Sequence, residues 1–242
     1  MKNVIYENIK TLLYALIIAV FIRSIFIQPF YIPSSSMEPN LLVGDRLFVT
    51  KYSYGYSKHS FPFSPNFSNE RFFSKNPNQG DLVVFKTPAD NRTDYIKRLI
   101  GMPGDEIQFK NGEIYINDKI ILRKKVDISY SIRCGNFSLK TNTFVETLPN
   151  GVEHLATYNI ENSLQNTKKF KVPENHYFLM GDNRDCSKDS RFLEDVGYVN
   201  KINLVGKAKI IFFSNDTIKG SLMKVWNLHK SLRFERTFQK LK

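Results

Sequence analysis

The segment LLYALIIAVFI, residues 12–22, sets eleven apolar side chains in a row with no charge and no turn former. Such a run is either buried on all sides or lies in lipid. Beyond Arg23 and Ser24 the apolar character resumes as IFIQPFYI, and the stretch from Ile9 to Ile27 has 19 residues. At about 1.5 Å per residue that nearly crosses a hydrocarbon core of roughly 30 Å. A cleaved leader would end on small residues of the A-x-A kind. This one instead runs into Phe26, Ile27, Gln28, Pro29, Phe30 and Tyr31. Arg23 is costly at mid-bilayer, as the alternative of a buried core helix would stress. It stands near the far end, however, where its stem reaches the interface. Residues 9–27 are therefore read as a retained transmembrane anchor. Lys2 before it and Lys10 in its first turn place residues 1–8 in the cytoplasm and everything after residue 28 outside.

The rest of the 242 residues suffices for one medium domain, or one with an insertion. Twenty Phe and twelve Tyr among short alternating stretches predict a mainly β body. NLLVGDRLFVTKYSYG (40–55) reads as a strand entered through Gly44-Asp45, and GDLVVFKTP (80–88) as another, closed by Pro88. DYIKRLIGMPGDEIQF (94–109) is a strand ending in a Gly-Met-Pro-Gly-Asp turn. NGEIYINDKI (111–120) is a hairpin with Asn-Gly and Asn-Asp turn signals. Residues 111–172 are expected to hold a β insertion. YFLMGDNRDCSKDSRF (177–192) is a strand followed by a dense polar loop. Residues 57–79 carry five phenylalanines among Ser, Asn and Pro. They read as a surface loop packed by its own aromatics, or as one that meets the membrane interface or a substrate groove. Residues 217–242 form a basic C-terminal segment, either solvated or lying on anionic lipid.

A net charge of +12 asks for a negatively charged surface or partner. No zinc-finger spacing, helix-turn-helix pattern or RNA-binding aromatic motif is present, so nucleic acid is not expected as that partner. The four histidines, His59, His154, His176 and His229, fit no metal spacing, and no Gly-x-Ser-x-Gly elbow occurs. Cys134 and Cys186 are too few for a disulfide scaffold and form no CxxC pair, and whether they bridge is left open.

What stands out is IPSSSMEP, residues 32–39, a cluster of hydroxyls immediately after the anchor. A hydroxyl is a poor nucleophile until a base takes its proton. Lys97, in the strand DYIKRLI, shares a face with Tyr95 and Leu99 and is either an edge residue or a buried one. Burial would lower its pKa and make it a candidate general base. In GDNRDCSKDSRF, Asp182, Arg184, Asp185, Asp189 and Arg191 can pair with one another. Ser187 and Ser190 offer hydroxyls to the lysine. The same loop also reads as a charged surface turn.

Taken together, the anchor, PSSSMEPNLLVGDRLFVTKYSYG, GDLVVFKTP, DYIKRLIGMPGDEI and GDNRDCSKDSRF resemble, in order, the blocks of bacterial type I signal peptidase (leader peptidase), a membrane-bound Ser/Lys peptidase family. The resemblance implies an antiparallel, barrel-like catalytic domain over residues 28–216, with a variable β insertion at about 111–172. It implies Ser36 as nucleophile, Lys97 as general base, and Ser34 with the Ser36 N–H as oxyanion hole. Ser187 is then the residue that orients the lysine, with Asp189–Arg191 and Asp182–Arg98 as supporting pairs. Phe30, Ile32, Val84, Tyr95 and Ile96 fall where the family lines apolar pockets for small side chains. No metal or cofactor is implied. The partners implied are signal peptides of secreted preproteins, the lipid bilayer and the vicinity of the export machinery, at a single-pass site in the inner (cytoplasmic) membrane. Cys186 stands where the family commonly has asparagine, and FLEDVGYV after Arg191 is longer than usual. A Ser/Lys peptidase of narrower duty, or a tethered binding domain that has lost catalysis, are the alternatives.

Overall fold

The structure, a computed structural model, describes residues 2–66, 68–135, 137–216 and 231–241. A helix, α1, spans Lys2–Ile25; its apolar side chains from Val4 to Ile22 are exposed, and its last turn meets the body, with Ser24 buried and Tyr56 Oη donating to the Ile25 carbonyl at 3.0 Å. Its stretch Val4–Ile25 has 22 residues, about 33 Å of helix, enough to cross a membrane. The helix ends two residues short of the expected anchor boundary, because Ile27 already belongs to the first strand. The apolar character continues past that point because the strand also needs it.

The body is mainly β. Strands β1 (Ile27–Tyr31), β2 (Asp45–Thr50), β3 (Leu82–Lys86) and β4 (Asp94–Gly101) build the core sheet with β12 (His176–Met180), β13 (Val199–Asn200) and β14 (Leu204–Ser214). Their order is β1-β2-β14-β3-β4-β12-β13, all pairs antiparallel, and the sheet curls into a half-barrel. The short strand β15 (Gln239–Lys240) adds to β14. Pro29 is tolerated in β1 because that strand lies at the sheet's edge and owes no second ladder. β3, paired on both sides, is buried from Leu82 through Phe85. This explains its continuous apolar run where an alternation would suit a half-exposed strand.

The insertion makes two further sheets. β5 (Glu106–Lys110), β6 (Glu113–Ile116), β7 (Lys119–Ile120) and β11 (Phe170–Lys171) form one. The β6–β7 turn has Asn117 and Asp118 at φ 52° and 59°, as the Asn-Asp signal requires. β8 (Leu122–Cys134), β9 (Phe137–Thr147) and β10 (Glu153–Asn159) form the other, a long meander. Residues 51–55, expected inside the second strand, turn away from the sheet after Thr50, and Gly55 takes φ 81°. The loop 57–79 is not packed by its aromatics throughout: Phe63 and Phe73 are exposed.

Of the basic C-terminal segment, residues 231–241 are described, and they pack back on the barrel. Arg236 makes a bidentate pair with Asp45 (2.6 Å and 3.2 Å) and Arg233 donates to the Val43 carbonyl at 2.9 Å. Trp226, Leu228 and His229 lie outside the described residues.

Candidate active site

The serine cluster occupies the connection from β1 to β2. Pairing carries one residue past the strand, Ile32 N–H to Asp45 O at 2.9 Å, and then the chain turns. Met37 and Leu41 are fully buried in the core under the turn, and the Glu38–Pro39 peptide is cis. Two apolar anchors thus hold a polar loop against the sheet, leaving Ser34 exposed and Ser35 and Ser36 at its buried side. The loop after β12 grips it from beyond: Asn183 N–H donates to Ser36 O and Asn183 Nδ2 to Ser35 O, each at 3.2 Å. Gly181 is essential to this approach, since a Cβ there would stand 2.5 Å from Ser36 O and 2.3 Å from Ser187 Oγ.

Lys97 comes from β4, an interior strand with β3 on one side and β12 on the other, so the edge option does not hold. It is 3% exposed, and its Nζ lies 2.6 Å from Ser36 Oγ, the hydrogen bond that joins them. Burial pulls its pKa from 10.5 to about 8. The charges of Asp189 and Asp182 oppose that shift, and that of Arg191 adds to it. A lysine so placed is neutral in a substantial fraction of molecules near pH 8. In that state the amine can act as a proton acceptor toward the hydroxyl 2.6 Å away. Ser34 Oγ lies 3.3 Å from Ser36 Oγ, on the exposed side.

Beside the pair lies a cavity of about 330 Å³ whose walls include Phe30, Ile32, Val84, Tyr95 and Ile96, with Ser34, Ser36 and Lys97 at one end. It is largely apolar, open to solvent, and of a size for small side chains on an extended chain.

Two expected ion pairs are present and buried. Arg98 holds Asp182 bidentately, Nε–Oδ1 2.8 Å and Nη2–Oδ2 2.9 Å. Arg191 holds Asp189 in the same way, both contacts at 2.8 Å. Burial opposes both carboxylate charges, yet the facing guanidinium keeps each carboxyl below its usual range. Ser187 is buried against Gly181, but its Oγ makes no hydrogen bond, to Lys97 or to any other described group. Ser190, the other candidate, is committed elsewhere, accepting from Leu179 N–H at 2.9 Å.

Sequence reasoning missed a third pair. Arg184 bonds Glu146 from β9 at 2.6 Å and 3.1 Å, and His154 from β10 lies 3.4 Å from the same carboxylate. Tyr158 completes the group by donating to Glu146. Burial works against the Glu146 charge, but Arg184 and His154 bring its pKa down to about 2. Nothing local marks Glu146, one of several acids in the insertion and the only one in β9. By contrast, Asn183 and Gly181 stood in the quoted loop and were passed over because their work is done through the backbone. The structure also closes the cysteine question: Cys134 and Cys186 are bonded, which ties the end of β8 to the loop carrying Ser187. Ser35 lies between the two partners, donating to Arg133 O at 2.7 Å with Cys186 Sγ 3.5 Å away.

The family model described as signal peptidase, peptidase S26, matches residues 5–213. A signal peptidase I of Rickettsia typhi is 40% identical over 259 aligned residues, covering 99% of this chain and 95% of that protein. One of Rickettsia akari is 42% identical, covering 94% and 90%, and one of Rickettsia bellii 38% identical, covering 96% and 84%. The solved signal peptidase I of Enterococcus faecalis overlaps this structure at a TM-score of 0.33 with 26% identity, over 55% of this chain and 97% of that one, too loosely to carry the fold. The chain belongs to the signal peptidases of peptidase family S26, a family of serine endopeptidases.

Proposed function

We propose that this chain cuts N-terminal signal peptides from exported preproteins after small residues, using Ser36 as nucleophile and Lys97 as general base. The observation that carries the reading is the buried lysine amine 2.6 Å from a serine hydroxyl at the end of an apolar cavity. Neutral Lys97 takes the Ser36 proton as Oγ attacks the carbonyl after the small residue. The tetrahedral oxyanion is received by the Ser36 N–H and the Ser34 hydroxyl, and removal of one such donor typically costs 10²–10³-fold in turnover. Lys97 then protonates the departing amine, and in a second half-reaction activates the water that hydrolyses the acyl ester on Ser36. The Ser187 hydroxyl, unpartnered in this structure, meets Lys97 only once the amine is protonated in turnover, and the Arg98–Asp182 and Arg191–Asp189 pairs hold the loops in place. Phe30, Ile32, Val84, Tyr95 and Ile96 select small side chains by the shallow space they leave.

On this reading α1 is a single-pass anchor in the inner membrane with the N-terminus cytoplasmic, so enzyme and leader share one surface and meet at raised effective concentration near the export machinery. A disulfide suits the oxidising side of that membrane. The test is cleavage of a preprotein with an Ala-x-Ala site by detergent-purified full-length protein, read by mass spectrometry of both products. Wild type is expected to cut after the second Ala, and Ser36→Ala and Lys97→Ala to leave the preprotein whole while remaining folded. Substantial turnover by Lys97→Ala sinks the mechanism, and wild type idle on every such site points to the narrower peptidase.

A further inference from the structure

A second cavity, of about 660 Å³, opens beside the last turn of α1, away from Ser36. Arg23 of that turn faces it, with Lys51 just beyond β2, Lys58 from the aromatic loop, and Lys86 and Arg92 from the β3–β4 hairpin. Two carboxylates share the wall, and both are already engaged. Asp94 pairs with Lys86 at 2.9 Å. Asp90 accepts from Thr87 Oγ1 at 2.6 Å, and from the backbone N–H of Arg92 and Thr93 at 2.8 Å and 3.0 Å. Arg23, Lys51, Lys58 and Arg92 make no salt bridge to any described residue.

Lys51 is the telling member. It is 2% exposed, and its Nζ donates only to the Ser60 carbonyl. Burial, and then the charge of Arg23, pull its pKa to about 8, and Asp94, already paired with Lys86, opposes that shift. His59, 4% exposed, adds no charge to offset this: its Nδ1 meets Ser64 Oγ at 3.0 Å and its Nε2 is buried without a partner. A buried ammonium with cationic neighbours and a neutral imidazole is an incomplete electrostatic arrangement that an anion would complete.

Position says which anion. Arg23 lies two residues before the end of a helix whose length matches the hydrocarbon core, the depth at which lipid phosphates sit. Phe63, fully exposed on the cavity rim, is the kind of side chain that enters the interface beside a headgroup. We propose that this cavity binds the phosphate of an anionic membrane-lipid headgroup through Arg23, Lys51 and Arg92, with Lys58 at its rim. The inference rests on α1 crossing the bilayer and not on the peptidase chemistry. It gives the anchored domain a fixed seat on the membrane surface.

The test uses the full chain in zwitterionic detergent micelles, titrated with phosphatidylglycerol, phosphatidylcholine or inorganic phosphate and read by native mass spectrometry. Wild type is expected to retain phosphatidylglycerol about tenfold more tightly than phosphatidylcholine. The variant Arg23→Gln/Arg92→Gln, whose side chains are exposed and whose fold is checked by its melting temperature, should lose that preference. Lys51→Met should lose it too. The charge-matched control Lys124→Gln/Lys125→Gln, on the exposed part of β8, should keep it. Equal retention of both lipids by wild type overturns the proposal. So does an equal loss in the control, which would mean attraction to net charge alone. Saturable binding of inorganic phosphate without lipid preference overturns the lipid assignment. Binding is read without turnover, so none of these outcomes bears on Ser36 and Lys97.

Discussion

Lys97 and Lys51 are alike by most measures: 3% and 2% exposed, at or just after a strand of the core sheet, and each drawn by burial from 10.5 to about 8. Their surroundings differ. Lys97 meets a serine hydroxyl and has the carboxylates of Asp189 and Asp182 near enough to moderate its shift. Lys51 meets a backbone carbonyl and is pushed down further by Arg23, with one opposing carboxylate, Asp94, that is already paired with Lys86. Three bidentate or forked Arg–carboxylate pairs brace the first neighbourhood, while the second has cations to spare. A lowered lysine pKa therefore does not by itself identify a base. What sets Lys97 apart, and supports its proposed role as base, is a serine hydroxyl within reach and a scaffold that fixes the distance.

The largest expected effect separates the two lysines kinetically. Lys97→Met should lower kcat/KM by about 10³–10⁴-fold, the upper range for a positioned general base. In wild type, kcat/KM should climb tenfold per pH unit and level off above about pH 8, because only the neutral amine can accept the proton. Lys51→Met should leave that limb near pH 8. A limb that moves with Lys51, and not with substitutions around Lys97, would assign the titration to the wrong lysine and sink the comparison. Stability should carry the opposite signature. With its pKa lowered in the fold, Lys97 binds its proton more readily in the unfolded chain. The penalty on folding is thus full below about pH 8 and fades as pH rises toward 10.5. By the depth of the shift it is on the order of 3 kcal/mol. Lys97→Met should accordingly melt above wild type at pH 7, with the gap closing by pH 10.

The bracing pairs come next. Arg184→Met strands Glu146 in the interior, which should cost about 3–5 kcal/mol in urea unfolding, and Glu146→Leu on top of it should restore most of the loss. A single variant no less stable than wild type would mean that water reaches Glu146 and that the network is no brace. Opening the disulfide with Cys134→Ser/Cys186→Ser should cost about 2–4 kcal/mol, the range for cross-links, given a sequence separation of 52 residues. Activity should fall as well, since Ser35 sits between the end of β8 and the loop that the disulfide joins to it. Unchanged turnover in the reduced protein would free the nucleophile loop from any dependence on the insertion.

Legibility in the sequence followed the reach of each signal. Gly44-Asp45, Asn117-Asp118 and the apolar run of β3 act through neighbours in the chain, and the turns and strands appear where those residues place them. The burial of Lys97 depends on β12, whose residues pair with β4 some 80 positions later, so DYIKRLI alone left both edge and interior open. Glu146 and Lys51 are invisible for the same reason, since each is defined by partners from other elements. The strands β8 and β9, thirteen and eleven residues long, hid in residues 123–171 because both faces carry many polar groups and the alternation is weak. For the C-terminal basic residues the alternatives were solvent or lipid, and the seat of Arg236 on the barrel was missed because Asp45, which receives it, is nearly two hundred positions away.

Ser187 gives the smallest effect and the finest test of the difference between the two lysines. Its hydroxyl is buried without a hydrogen bond, so Ser187→Ala removes an unsatisfied group and should leave the melting temperature unchanged or raise it. If the hydroxyl turns to Lys97 when the amine is protonated during turnover, the same variant should lose about tenfold in kcat with KM little changed, roughly 1.4 kcal/mol of transition-state stabilisation. Cysteine at this position should not rescue, because a thiol is a weak donor and acceptor, whereas threonine keeps the hydroxyl and should recover part of the loss. A kcat equal to wild type in Ser187→Ala would leave Ser36 as the only hydroxyl that Lys97 needs. The contact that matters for catalysis would then be the 2.6 Å bond to Ser36, which Lys51 lacks.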